Sequence, residues 1–352
     1  MKYSDYWTKR QEERLAITDR EVNKNIKQLE SVLEEAANNL KDEIIKLFSR
    51  YATDNQLTYQ EALKNVSEVE LKNLKKDLAY YIDNAKYNAT SMREELQRIS
   101  TRVRVNRLEA YITRIKMYAD NLEGILASET QQMLQDIYVE SYLYNLYAAD
   151  TLKNVSVNVS FSKPNERQLK TLIEYPWSGK NYSSKIWAKT YDFVDNVSRV
   201  ITVGLIQGKN SDSIAKELHK AIMGEDGKGG QLYKYKRLVR TETAYIVEQA
   251  TKKSYEDFGV EKYQFLATLD LRTSVTCQNL DKDVFPIEEA KVGVNYPPMH
   301  CFCRSTTIPI VKWDDEEDDD DTRIARDING KSVFVKNQSY KEWKKENFKD
   351  SK

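Results

Sequence analysis

The chain has 352 residues, 40% hydrophobic and 31% charged, which supplies enough apolar surface for a core and enough charge to clothe long solvated helices. Its 55 Lys and Arg balance its 55 Asp and Glu, so no global field draws it to nucleic acid or membrane, and any DNA contact must come from a local patch. The polar start MKYSDYWTKRQEERL and the lack of any run of about 18 apolar residues argue against a secretion signal and a spanning helix. All three cysteines lie between Cys277 and Cys303. Such an odd, clustered set is no secreted disulfide framework; it suits a reducing cytosol, with export only as part of a larger particle.

No glycine precedes Gly124 and no proline precedes Pro164, and both residue types break helices. Leu15, Val22, Ile26, Leu29, Leu33, Ala36, Leu40, Ile44 and Leu47 recur at steps of three, four or seven, the seam of an amphipathic helix close to a coiled-coil repeat. Residues 63–82 and 92–122 repeat the theme. Asp54 and Asn55, followed by Thr58 and Glu61 at capping-box spacing, mark a break and restart. The reading is therefore a long-helix region over 1–155, a bundle or a coiled-coil arm, with two to four helices.

The alternation VSVNVSF over 155–161 predicts a short strand, and Pro164, Pro176-Trp177 and Ser178-Gly179 mark a domain boundary. Helices are expected over Lys185–Leu205 and Ser211–Met223, with Ser211 able to cap the second. Gly224–Gly230, GEDGKGG, reads as a flexible loop without the Lys-Ser/Thr ending of a phosphate loop. A helix follows over Leu232–Phe258 and stops at Gly259. Strands are expected at Lys262–Thr268 and Thr306–Val311. The eight acids of 314–321 form a solvated linker. The tail, 322–352, is expected to hold a hairpin turning at Asn329-Gly330 and an exposed helix containing Trp343. The predicted fold class is α+β, mainly α: a long N-terminal helical region, then a compact α+β domain over 156–313 with few short strands.

Three features could carry chemistry. Cys277, His300, Cys301 and Cys303 bring thiols and an imidazole into one loop-rich stretch, and these are the ligands zinc prefers. The alternative is buried thiols acting as small hydrophobes. A further alternative is nucleophilic catalysis, with Cys277 or Cys301 as thiolate, His300 as base and Asp270, Asp281 or Asp283 orienting it. His219, on an amphipathic helix, reads as a surface residue. The helix from Tyr233 interleaves Lys234, Lys236 and Arg237 with tyrosines, a pattern able to touch a nucleic-acid backbone. The competing reading buries its aromatic side and leaves Arg240 and Glu242 to pin neighbouring loops.

These segments, in order, resemble the phage Mu protein F-like head morphogenesis family, the minor head proteins of tailed phages. WSGKNYSSKIW (Trp177–Trp187), ITVGLIQGKNSDSIAKEL (Ile201–Leu218) and RTETAYIVEQATKKSYEDFGV (Arg240–Val260) resemble its successive helices. FLATLDLRTSVTCQNLDKDVF (Phe265–Phe285) resembles its strand and Asp-x-Arg-Thr-Ser-x-x-Cys stretch, with Asp270, Arg272, Ser274 and Cys277 in place. PPMHCFCRSTTIP (Pro297–Pro309) resembles its Pro-Pro-x-His-x-x-Cys-Arg block, matching His300, Cys303 and Arg304. ARDINGKSVFV and YKEW resemble C-terminal tails of Gram-positive phage members. The likeness spans about residues 165–350. Two departures stand out: Cys301 replaces a proline, and Ser305 stands where relatives often carry a last cysteine. The resemblance implies a non-enzymatic virion protein near the portal vertex, with portal, capsid or scaffolding proteins as partners, in some members double-stranded DNA, and no membrane segment. The alternative function is an enzyme using the Cys277/His300 region, a cysteine-type hydrolase or an ADP-ribosyltransferase. Thr241-Glu242 and Ser305-Thr306-Thr307 faintly resemble transferase signatures, but Glu288 and Glu289 are adjacent, so no Glu-x-Glu is present there.

Overall fold

The computed structural model describes residues 3–54, 107–151, 166–206, 209, 211–225, 228–310, 322–326, 332–336, 338–339 and 342. Their elements are α1 (Tyr3–Asp54), α2 (Arg107–Thr151), α3 (Glu166–Glu174), α4 (Tyr182–Ile206), α5 (Ser211–Met223), α6 (Gly230–Asp257), β1 (Lys262–Leu266), α7 (Val275–Leu280), β2 (Val284–Pro286), β3 (Thr306–Ile310), β4 (Thr322–Arg326) and β5 (Ser332–Lys336). The fold is mainly helical with little sheet, as expected. The helices at 185–205, 211–223 and 232–258 and the strands beginning at Lys262 and Thr306 are all present to within a few residues. Two pieces escaped the sequence, α3 and the short α7–β2 segment. The Thr58–Glu61 cap, the 155–161 strand, the acidic run and the Trp343 helix lie outside the described residues. The tail hairpin is present: β4 and β5 pair antiparallel from Thr322↔Lys336 to Arg326↔Ser332.

The chain divides into two compact units, one of Met1–Asn25, Thr130–Tyr182 and Arg237–Lys352, the other of Ile26–Glu129 and Ser183–Lys236. The elements described in the second unit are all helices. Its part of α1 buries Ile26, Leu29, Leu33, Ala36 and Leu40 of the seam read from the spacing, and Ala37 beside them. In α5, Ile214, Leu218 and Ile222 recur every four residues and are fully buried, each contributing about 1.5–3 kcal/mol of apolar burial. Tyr235 of α6 is buried with its hydroxyl 2.9 Å from Thr190 Oγ1. His219 stands at the surface, 3.1 Å from Glu34. The glycines of 224–230 close a tight corner: Gly224 and Gly230 have positive φ, and a Cβ on Gly230 would strike the backbone of Gly224.

The first unit holds the sheet. β1 is central in the order β2-β1-β3 and pairs antiparallel on both sides, Tyr263↔Phe285 with β2 and Phe265↔Thr307 with β3. Tyr255, Tyr263 and Tyr296 are fully buried and each hydroxyl reaches a backbone carbonyl: Thr307, Asn295 and Glu248 respectively. A second cluster joins Trp7 of α1 and Ala148 and Ala149 of α2 to Leu266 and Ile308 of the sheet. The start of α1 turns polar on its buried side, with Gln11 and Arg14 following Trp7 at i+4 and i+7. Arg14 Nη2 lies 3.2 Å from Glu248 Oε1 of α6 and 3.0 Å from Thr306 Oγ1 of β3, and Thr306 donates to the same carboxylate at 2.7 Å. Both charged side chains are only 2% exposed. Burial pushes the Glu248 carboxyl above its ordinary range while Arg14 and Thr306 oppose the shift.

Arg14→Met leaves a buried carboxylate without its counter-charge and should cost about 3–5 kcal/mol of unfolding free energy at neutral pH. The loss shrinks towards acid, where Glu248 takes a proton, and Arg14→Met/Glu248→Leu recovers most of it; denaturant midpoints across pH read all three outcomes. In the other unit, burial and then the Asp120 charge raise the Glu123 carboxyl from 4.5 to about 7. The unfolded chain releases this proton first, so stability should fall as pH rises from about 4.5 to about 7, and Glu123→Gln should flatten that slope.

Candidate functional site

The site is built from two stretches of the first unit, Thr268–Cys277 and His300–Ser305. In the first, Asp270 is the organiser. Its Oδ1 accepts from the Arg272 N–H at 2.9 Å and from the Thr273 hydroxyl at 3.2 Å, folding the Asp-Leu-Arg-Thr run back on itself. Thr273 also donates to the Thr268 carbonyl. Ser274 then caps α7, its hydroxyl accepting from the Cys277 N–H at 3.3 Å, which fixes Cys277 in the first turn of that helix. The Arg272 side chain is 76% exposed and stands 3.7 Å from Asp270 Oδ2, a weak ion pair beside the bond its backbone N–H makes.

In the second stretch a tight turn places His300 and Cys303 on one side. The Cys303 N–H donates to the His300 carbonyl at 3.1 Å, and Phe302 sits at φ 59, a left-handed conformation that costs a non-glycine residue about 1–2 kcal/mol. The turn is held from below by α6, where Thr241 Oγ1 accepts from the Phe302 N–H at 3.3 Å and donates to the Arg237 carbonyl at 2.6 Å. Arg304 clamps the two stretches with a fork of bonds to both oxygens of Asp270, one of them at 2.8 Å. Burial alone would raise the Asp270 carboxyl, but the Arg304 bonds and charge outweigh it and hold the group below its usual range.

The result brings together Cys277, His300 and Cys303. Cys277 Sγ lies 3.4 Å from His300 Nε2 and 3.9 Å from Cys303 Sγ. His300 Nδ1 faces the Cys301 carbonyl at 2.8 Å. Both buried sulfurs also pack with Phe265 and Ala267, so their hydrophobic contribution is real. The hydrogen bond with Cys303 is the main cause that lowers Cys277 to about 6, against the opposing effect of burial, while the same bond and burial push Cys303 up. Cys301 is exposed and stands outside the cluster, so of the four residues singled out in the sequence only three converge. A shallow pocket of about 210 Å³ opens beside them, lined by Ser274, Cys277, His300, Arg304 and Ser305 among others.

The remaining sequence candidates hold the frame. Glu242 accepts from the Trp177 indole at 2.9 Å, and that indole stacks on Tyr245 with ring centroids 4.9 Å apart, so Glu242 pins the loop after α3. Arg240 reaches Asp19 at 3.3 Å and Asn23 at 2.7 Å on α1, a helix rather than a loop. Lys234 and Lys236 pair with Asp192 at 3.1 Å and Glu30 at 3.4 Å, whereas Arg237 is exposed. Sequence reasoning passed over Arg14, whose partners Glu248 and Thr306 lie far along the chain, and gave Thr241 no part in holding the Phe302 turn, 61 positions on.

Asp270→Asn removes the charge that holds Arg304 and should cost about 1.5–3 kcal/mol at neutral pH. Because the native carboxyl is held low, its contribution is present above about pH 3.8 and is lost as acid carries it through its lower native value. Unfolding of wild type and variant should therefore converge in acid.

Residues 195–308 match the family described as Phage Mu protein F like protein, a narrower span than the sequence motifs suggested. The chain is 24% identical to Minor head protein GP7 of Bacillus phage SPP1, over 96% of this chain and 97% of that protein. It is also 28% identical over 316 residues to the NAD(+)--arginine ADP-ribosyltransferase EFV of Enterococcus faecalis (strain ATCC 700802 / V583), covering 83% of this chain. The chain spans 56% of that second relative's length, little more than half. No solved structure matches. Residues 195–308 therefore carry a domain like that of the phage Mu protein F family, and the chain resembles a phage minor head protein over nearly the whole of both.

Proposed function

We propose that the chain is a minor head protein of a tailed bacteriophage that acts structurally within the virion, in capsid assembly at the portal vertex, in delivery of DNA on ejection, or in both. Portal protein and capsid or scaffolding proteins are its partners in this reading. The observation that carries it is the near end-to-end likeness to a minor head protein, 96% of this chain against 97% of that one. The use of the motif residues supports it. Asp270, Ser274, Glu242 and Arg304 bind other parts of the same unit, which is what a scaffold requires of them.

A transferase reading draws on the Enterococcus relative, of which this chain spans 56%. Against it, the pocket beside Cys277 is shallow and no carboxylate lines it among the described residues. A cysteine hydrolase meets a different obstacle, since Cys277 is only 1% exposed and a nucleophile must meet its substrate. Double-stranded DNA is a proposed further partner through the start of α6. Lys234 and Lys236 already hold acidic partners, so such binding would exchange ion pairs and weaken steeply with salt.

The test is to assemble heads with a tagged chain, separate them by density and incubate the pure chain with labelled NAD and an arginine-bearing acceptor. The reading expects the chain to travel with the heads, in far fewer copies than the major capsid protein, and no label to be transferred. Recovery of the chain only outside the heads, or chain-dependent transfer of label, would overturn it.

A further inference from the structure

The three converging side chains have the arrangement of a metal site. Zinc bonds of about 2.3 Å to sulfur and about 2.0 Å to nitrogen, at tetrahedral angles, set sulfur about 3.8 Å from sulfur and about 3.5 Å from nitrogen. The observed separations are 3.9 Å between the sulfurs and 3.4 Å from Cys277 Sγ to His300 Nε2. The three ligand atoms all lie within 4.8 Å of one another. A disulfide needs its sulfurs at about 2.05 Å, so the pair stands at coordination distance rather than bonding distance.

The histidine decides between a metal site and a plain pair of buried thiols. A carbonyl oxygen can only accept, so the 2.8 Å contact to Cys301 places a proton on His300 Nδ1. In the neutral ring this leaves the Nε2 lone pair facing the sulfurs, and a backbone carbonyl behind the distal ring nitrogen is the support that metal-ligating histidines receive. Apolar packing of two thiols would require none of this.

We propose that Cys277, His300 and Cys303 bind one zinc ion, with the fourth position open to the pocket beside Ser305 and taken by water. The ion joins the first turn of α7 to the turn that leads into β3, two segments with few backbone bonds between them. Its role is structural. The pocket offers no carboxylate among the described residues to act as a base towards a zinc-bound water, and its charged neighbour Arg304 is committed to Asp270. Ser305 lines the same pocket as Cys277 and His300. It is placed so that Ser305→Cys would supply a third thiolate.

The test uses the full chain purified under reducing conditions, with metal analysis, cobalt(II) substitution and thermal unfolding before and after chelation. The expected result is one zinc per chain, a tetrahedral cobalt spectrum with the thiolate charge-transfer intensity of two sulfurs, and a lower unfolding temperature after chelation that added zinc restores. Cys277→Ser and Cys303→Ser should weaken zinc by more than the roughly 10–100-fold that loss of a supporting hydrogen bond costs, whereas Cys301→Ser should leave it unchanged. Ser305→Cys should raise the cobalt charge-transfer intensity to that of three sulfurs, a readout that stands even where a ligand variant fails to fold. A metal-free chain whose unfolding ignores added zinc, a native Cys277–Cys303 disulfide, or loss of metal on Cys301→Ser would each overturn the proposal.

Discussion

One buried ion pair ties the unit that carries the site into a single body. Arg14 comes from the first turns of the chain, Glu248 from the middle of α6 and Thr306 from the first residue of β3, and all three meet within 3.2 Å. Removing charge from water is expensive, and the pair is sustained only because each partner answers the other and Thr306 adds a hydrogen bond. The consequence is topological. Residues separated by more than 230 positions are held together, so the N-terminal segment belongs to the core that the C-terminal block builds. β3 continues directly from Cys303-Arg304-Ser305, so whatever fixes Thr306 also fixes the edge of the candidate site.

From that anchor the site assembles by short-range rules. Asp270 folds its own turn, Ser274 starts α7 and thereby aims Cys277, and Thr241 receives the turn that carries His300 and Cys303. Arg304 then locks the two stretches through Asp270. Each polar residue of the motif has a partner inside the unit. That accounts for a run so rich in Asp, Arg, Thr and Ser lying against a core, since buried polar groups are tolerated only when their bonds are made.

Much of this was legible in the sequence where one physical period dominated. The α1 seam announced itself by apolar spacing, α5 by Ser211 as a cap and α6 by the stop at Gly259, and β1 and β3 were placed to within two residues. The tail hairpin could be read from Asn329-Gly330, since β4 and β5 flank that dipeptide. α3 was missed because nine polar-rich residues between two prolines look like a linker. β2 was missed because Val-Phe-Pro is too short to show alternation and exists by pairing with β1. Arg14 was read past for a deeper reason: the seam was sought among apolar residues, and Leu15 beside it fitted the pattern while Arg14 took the buried place. At the site, the grouping of Cys277, His300 and Cys303 was within reach of the sequence. The exclusion of Cys301 was not, because it depends on the left-handed turn at Phe302.

The account therefore rests on the first 25 residues being an integral layer of the unit that contains the site. Native-state amide hydrogen exchange on the full chain tests this most directly. Amides around Arg14 should exchange together with those of α6 near Glu248 and of β3, at the slow common rate of one cooperative unit. Rapid, independent exchange around Arg14, with α6 and β3 still protected, would contradict the account and reduce the ion pair to a surface decoration of an otherwise complete module.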